Sequence, residues 1–273
     1  MNSYKNLTLR NWGYVCESLQ QKISSTTLVI AGCGMGSVVV EVATRIGFQK
    51  FVLVDGDTVE AHNLNRQAFG VSDIGTMKVE ALKKRILEIN PQAEVLAHPV
   101  NVTLENVSEV VASGDIVIDT IDFLDLSAIT ALHDCAFKLG KPIISAMNVG
   151  FGSLAICIDP QGMEGGTPFR NYFGLPMEGE LKESSYTHFF QILFSKLEPK
   201  LDKQVVQTMN YVFHQMKDGK PCPAPQVAPG SYATGALVVT MLARFLNGEE
   251  LQKGPHMVGL DLGLLSQQTV IRF

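Results

Sequence analysis

The chain has 273 residues, 46% of them hydrophobic and 18% charged, with a formal net charge of -5. That length and composition suffice for a large buried core, and an acidic balance with no long run of Lys or Arg argues against nucleic acid as a partner. No apolar stretch is long enough to span a bilayer and the N-terminus lacks an apolar signal core, so a cytoplasmic protein with no membrane partner is expected.

In chain order, residues 26–31 (TTLVIA) form a short apolar run ending at glycines and predict a buried parallel strand. Residues 38–46 have helical apolar spacing and stop near Gly47, a C-cap residue. Residues 51–54 (FVLV) predict a second strand. Residues 78–89 (KVEALKKRILEI) predict an amphipathic helix ended by Asn90-Pro91. Strands follow at 94–100, 115–120 (DIVIDT) and 142–146 (PIISA), with a helix at 128–139. This β-α order predicts a Rossmann-like α/β fold with a mostly parallel central sheet flanked by helices.

The pattern changes after Val149. Residues 152–158 (GSLAICI) predict another strand, 159–181 a Gly- and Pro-rich loop, and 185–197 and 202–216 two helices. Residues 219–230 carry four prolines and predict irregular chain. Residues 232–246 predict a mostly apolar helix, read as core or subunit interface, and 257–273 two final strands, taken as antiparallel. The whole of 1–273 reads as one nucleotide-binding domain, with a helical insert at about 160–230 that serves as a lid or partner-binding segment.

Gly32-Cys33-Gly34-Met35-Gly36-Ser37 follows a strand and opens a helix. Glycines there let backbone approach phosphates, and the helix N-terminus offers N–H groups to the anion. Asp55 ends the second strand, where an acidic residue accepts hydrogen bonds from a ribose. These features predict a nucleotide site without naming the nucleotide. The run that follows, with Asp57, Asn63 and Arg66, and then Lys78 at the head of a helix, places cations where the phosphates of ATP would lie. A lysine there opposes the helix dipole, a hint of function. Asp119, Asp122 and Asp125 cluster at the end of the fourth strand, at the ligand-binding edge of such sheets. Asp122 is the expected Mg²⁺ ligand, and Asp125 reads as a helix N-cap.

Cys16, Cys33, Cys135 and Cys157 sit in apolar or small-residue runs and read as core fillers. No cysteine belongs to a C-x-x-C pair, so neither structural zinc nor a disulfide framework is expected.

VDGDTVEAHNLNRQ resembles the signature of the ubiquitin-activating-enzyme-like superfamily, which includes ThiF, MoeB and HesA proteins. DIGTMKVEALKKRILEINP is similar to that family's next block and DIVIDTIDF to its metal-binding block. The resemblance spans residues 5–160 and resumes more thinly at 222–248. It implies an ATP-dependent adenylyltransferase that activates a carboxylate as an acyl-adenylate and releases pyrophosphate. It further implies that Asp55 holds the ribose, that Asn63, Arg66 and Lys78 contact the phosphates, and that Asp122 binds magnesium. The implied substrates are the C-terminus of a ubiquitin-like or sulfur-carrier protein, a peptide or a small acid, and the implied assembly is a homodimer. The chain departs from the pattern in places. Its glycine loop is one residue short of G-x-G-G-x-G. Lys5 stands where the family uses an arginine, often from the partner subunit, and Phe123 where it usually has Asn. The zinc-binding C-x-x-C pairs of several relatives are missing. Cys222 lies near where some relatives place a thioester-forming cysteine, and also reads as a spare loop residue. Two other functions stay open: a non-catalytic ATP-binding scaffold of the same fold, and an NAD-dependent oxidoreductase, which would explain Gly32–Asp55 but not Asn63, Arg66 or Lys78.

Overall fold

A computed structural model describes residues 4–161, 168–177, 179, 181, 184–217 and 225–263, with backbone alone for 184–190 and 217. A short helix α1 (Tyr4–Leu7) and α2 (Glu17–Ser25) precede the first strand, β1 (Thr27–Ala31). The chain continues through α3 (Gly36–Ile46), β2 (Lys50–Val54), α4 (Lys78–Ile89), β3 (Glu94–His98), α5 (Val107–Ala112), β4 (Ile116–Asp119) and α6 (Leu126–Lys138). It then forms a hairpin of β5 (Ile143–Val149) and β6 (Gly152–Ile158), three helices α7 (Pro168–Phe173), α8 (Ser184–Leu197) and α9 (Lys203–Lys217), the long α10 (Ala228–Leu246) and β7 (Val258–Asp261).

The strands make one sheet in the order β3-β2-β1-β4-β5-β6-β7. β1 pairs in parallel with β2 on one side and β4 on the other, with Val29 opposite Val52 and Val117. β6 and β7 run antiparallel to close the far edge. The chain therefore leaves β1 toward one edge and returns to its other side as β4. The carboxyl ends of β1 and β4 diverge there, at the switch point where open α/β sheets bind ligands.

Alternation along the strands sends side chains to two cores. Leu28 and Ile30 join the core shared with α2, α3, α4 and α10, whereas Val29 and Ala31 join the one shared with α5, α6 and α7. Buried on both faces, β1 and β4 read as continuous apolar runs, as expected of central parallel strands. Gly47 caps α3 with φ 117°, the left-handed conformation expected there.

Several expectations change. α7 forms inside the stretch predicted as loop, because Phe169 and Phe173 bury against α6. α5 went unpredicted, since only Val107, Val110 and Val111 mark it. α10 begins at Ala228, four residues before Tyr232, with Pro229 in its first turn, where a missing N–H costs nothing. Most of α10 packs against α3 and β6 as core, although Tyr232 is exposed. β7 is one of the two final strands expected, and residues 264–273 lie outside the described residues. Cys33 and Cys157 are buried as expected, but Cys16 is exposed at the head of α2 and Cys135 is only partly buried. No described helix is long and apolar enough to cross a membrane.

Candidate nucleotide site

The carboxyl ends of β1, β2 and β4 open into a cavity of about 1320 Å³. Its floor begins at the glycine turn. Gly32 has φ 88°, and a Cβ on it would meet the Thr120 carbonyl oxygen at 2.5 Å. Only glycine lets the turn leave β1 this close to β4. Gly34 and Met35 line the cavity. Gly36 serves packing instead: a Cβ there would strike Ile30 and Thr120, so its absence lets α3 lie close on the sheet.

Asp55 ends β2 and faces this turn. Its Oδ2 accepts the Cys33 N–H at 2.6 Å and its Oδ1 the Asp57 N–H at 2.8 Å. Burial pushes its carboxyl above the ordinary value, while the Lys78 charge and these two N–H groups pull it back. The orientation is fixed by backbone, and each oxygen keeps a second lone pair for a ligand.

Lys78, at the start of α4, is buried, and its Nζ donates to Asp57 Oδ2 at 2.6 Å. That carboxylate resolves the placement of a cation in a first helical turn: the charge is balanced locally. Asn63 is buried, and its Oδ1 accepts the Glu60 N–H at 3.0 Å, closing a short 3-10 turn on the cavity wall. Arg66 donates from Nε to Gln226 Oε1 at 2.6 Å and from Nη1 to the His62 carbonyl at 2.9 Å. Burial lowers its pKa from the usual value, and the Asp122 carboxylate acts in the opposite sense. The guanidinium thus sits between a neutral clamp and the acidic side of the cavity.

Across the cavity, Asp122 is exposed in the loop after β4, with Oδ1 accepting the Leu124 N–H at 3.1 Å. Asp125 caps α6 by accepting the Ala128 N–H at 3.0 Å, as expected. Asp119 separates from the acidic cluster. It is buried beneath the site, with Oδ2 accepting from Ser145 Oγ at 2.6 Å and lying 3.0 Å from His133 Nε2. Asp122 is therefore the carboxylate of the three that is exposed on the cavity and not committed to a helix cap. Among the described residues, no three His, Cys, Asp or Glu side chains gather as a metal cage. One carboxylate supplemented by phosphate oxygens and water is an arrangement that suits Mg²⁺.

Sequence reasoning missed Gln67, Asn101, His133 and Gln226. Gln67 is buried on the cavity wall, and its Oε1 is buried without a hydrogen-bond partner. It directly follows Arg66 in the quoted motif, so a signal existed. Asn101 accepts the Gly56 N–H at 3.1 Å, and Gln226 holds Arg66. Both act through tertiary contacts that no local pattern reveals. One expected site residue is not brought together with the rest. Lys5 is exposed on α1, whose Tyr4 hydroxyl is bonded to the Gly47 carbonyl at the far end of α3, away from this chain's cavity. Cys222 lies outside the described residues.

The chain is 32% identical to the sulfur carrier protein adenylyltransferase of Thermus thermophilus over 127 residues, 46% of each protein. It is 34% identical to the adenylyltransferase and sulfurtransferase uba4 of Pyricularia oryzae over 164 residues, 58% of this chain and 33% of that one. It is also 36% identical to the tRNA threonylcarbamoyladenosine dehydratase of Bacillus subtilis over 133 residues, 48% of this chain and 52% of that one. The matches thus span between 33% and 52% of these relatives' lengths. Among solved structures, E. coli MccB with ATP has the same fold, with a TM-score of 0.65 and 20% identity over 90% of this chain and 63% of that one. The ThiF family pattern runs through residues 6–269, strands, glycine turn and C-terminal helix included, and the chain belongs to the ThiF family.

Proposed function

We propose that this protein uses ATP to activate a carboxylate, forming an acyl-adenylate and releasing pyrophosphate. The observation that carries the reading is the convergence of Arg66, Lys78 and Asp122 on one cavity with the glycine turn and Asp55. A carboxylate oxygen attacks the α-phosphorus of ATP. The bond from that phosphorus to the bridging oxygen of the β-phosphate breaks, and pyrophosphate leaves with the electron pair. The nucleophile is already ionised at neutral pH, so the step asks for no general base. It asks for orientation and for cations near the oxygens that gain charge.

The division of labour follows. Asp55 receives the ribose hydroxyls through its remaining lone pairs. The N–H groups at the turn into α3 face the phosphates. Lys78, held by Asp57, and Arg66, held by Gln226, balance charge on the leaving pyrophosphate. Asn63 shapes the wall between them and adds contacts to the phosphates. Asp122 would hold Mg²⁺, which when bound neutralises phosphate charge and polarises the reacting phosphoryl group.

Relatives named for sulfur carrier proteins support a protein C-terminus as one substrate class, alongside a peptide or a small acid. A homodimer is part of the proposal, since Lys5 can reach a nucleotide cavity only as a second copy's residue. With a protein substrate, the Cys222 thiolate would next attack the carbonyl carbon of the acyl-adenylate, forming an acyl thioester as the acyl–phosphate bond breaks and AMP leaves.

ATP–pyrophosphate exchange with Mg²⁺ and a pool of carboxylates tests the reading. Exchange should depend on the carboxylate and fall at least a hundredfold in Asp122→Ala, about 2.7 kcal/mol of transition-state stabilisation. Exchange that ignores the carboxylate, or survives in Asp122→Ala, would contradict it.

A further inference from the structure

The cavity is larger than one nucleotide site needs, since ligand pockets commonly fall in the range of about 300–1,000 Å³. Its two ends also differ in chemistry. The described cations of Lys and Arg type that line it, Arg66 and Lys78, both belong to the nucleotide end. The other end is walled by the tip of the β5–β6 hairpin and by α8 and α9, with Phe151, Leu193, Leu197, Val205 and Met209 among its lining residues. Asp202 is also on this wall, at the start of α9, with Oδ1 accepting the Gln204 N–H at 2.8 Å.

This end is built rather than left open. Gly150, at φ 57°, sits under α9, where a Cβ would meet the Val205 side chain at 2.6 Å. On its other side the hairpin is bound to α10: Asn148 Nδ2 donates to Ser231 Oγ at 2.8 Å and to the Val227 carbonyl at 3.2 Å. The hairpin is therefore held to α10, with Val205 of α9 close above Gly150, and these residues line the same cavity as the nucleotide cradle. Resting on the adenylation reading above, we propose that this apolar end is the acyl subsite, and that it selects a carboxylate carrying a bulky, uncharged apolar group beside the reacting carbon.

The alternatives fit the wall poorly. A diglycine tail has no side chain to cover these residues, so the wall would stay wet and contribute no binding. An acidic body would meet Asp202 with no opposing Lys or Arg among the described lining residues of that end. The same chemistry could come from a chain terminus ending in Leu or Phe or from a free branched or aromatic acid, and the assay can separate these sources.

The test is pyrophosphate exchange by the full chain, with ATP binding measured in parallel by calorimetry. The carboxylates are tetrapeptides identical except for their ends (Leu, Phe, Gly-Gly or Asp), together with free 4-methylpentanoate and 3-phenylpropionate. The expected result is kcat/KM at least tenfold higher for apolar ends than for Gly-Gly or Asp, the scale of one well-placed hydrophobic group. Preference for the peptides over the free acids identifies a chain terminus as the source, and the reverse a small acid. Equal or better use of Gly-Gly or Asp ends overturns the inference while leaving adenylation intact. ATP binding without exchange for any carboxylate overturns the adenylation reading and this inference with it. Met209→Arg adds a second check: the preference for Leu over Asp ends should shrink several-fold, and an unchanged ratio in a variant that still exchanges places the acyl group elsewhere.

Discussion

At the scale of single residues, environment rather than identity decides what each side chain can do. Four described cysteines share one chemistry and differ in setting. Burial pushes the Cys157 thiol up to about 11, with the Asp159 charge adding to the effect. At pH 8 only about one part in a thousand is then thiolate. Cys16 is exposed and its pKa is lowered by a hydrogen bond with Ser18, whose Oγ lies 3.2 Å from the sulfur. Brief iodoacetamide treatment of the native protein at pH 8 should modify Cys16 at least about a hundredfold faster than Cys157, read by peptide mass spectrometry. Comparable labelling of the two would mean that β6 opens. The aspartates make the same point. Asp55, Asp119, Asp122 and Asp125 all end near strand termini, yet one holds the glycine turn, one is bonded inward to Ser145, one faces the cavity and one caps a helix. Sequence spacing brought the last three together as a group, and only the direction of each side chain separates them.

At the scale of elements, the nucleotide cradle depends on how α3 and α4 are set against each other. Glu41 on α3 accepts from Arg85 on α4 at 3.0 Å and from Arg45 in its own helix at 2.8 Å. Burial alone would raise the Glu41 carboxyl, but the two arginines together outweigh it and hold it below the ordinary value. A depressed carboxyl contributes stability that is present above its unfolded value and lost as pH falls through the folded one. Glu41→Gln should therefore lower stability by about 0.5–1 kcal/mol at pH 7. The difference from wild type should shrink as pH falls below the ordinary carboxylate range, in urea melts followed by circular dichroism. A deficit that persists unchanged at low pH would point to packing rather than charge. The elements themselves were largely legible where one force dominated. α4 was marked at both ends by its periodicity and by Asn90-Pro91. α7 was hidden because Phe169 and Phe173 bury against a helix far away in sequence, while their immediate neighbours are rich in turn formers.

At the scale of the whole molecule, the residues beyond β6 supply α8 and α9, which add lining to the cavity. α7 is held to α6 by Arg170, which is buried and donates to Asp134 at 2.6 Å and to the carbonyls of Pro176 and Gly179 at 2.7 and 3.1 Å. Burial raises the Asp134 carboxyl and Arg170 lowers it again, so removing the arginine leaves a half-buried acid without its partner. Arg170→Ala should cost about 2–3 kcal/mol, below the full penalty of a deeply buried pair because Asp134 keeps some solvent contact. Limited proteolysis should then cut the α7–α9 region first. Uniform loss of all fragments at the same rate would mean that the insert and the sheet unfold as one unit.

The sequence by itself determined the parallel half of the sheet, the glycine turn with its acidic partner, and the motif that groups Asn63, Arg66 and Lys78. Each is written in short-range terms: apolar runs, glycine at a strand end, charge at fixed spacing. Tertiary structure alone decided that Gln226 clamps Arg66 across 160 residues, that Asp119 turns inward to Ser145 and His133, and that Gly36 serves packing. It also decided that the β5–β6 hairpin is held to α10 by Asn148 and meets Val205 of α9 at Gly150. These contacts join segments with no common local pattern, so burial and hydrogen-bond satisfaction specify them only once the chain has closed on itself.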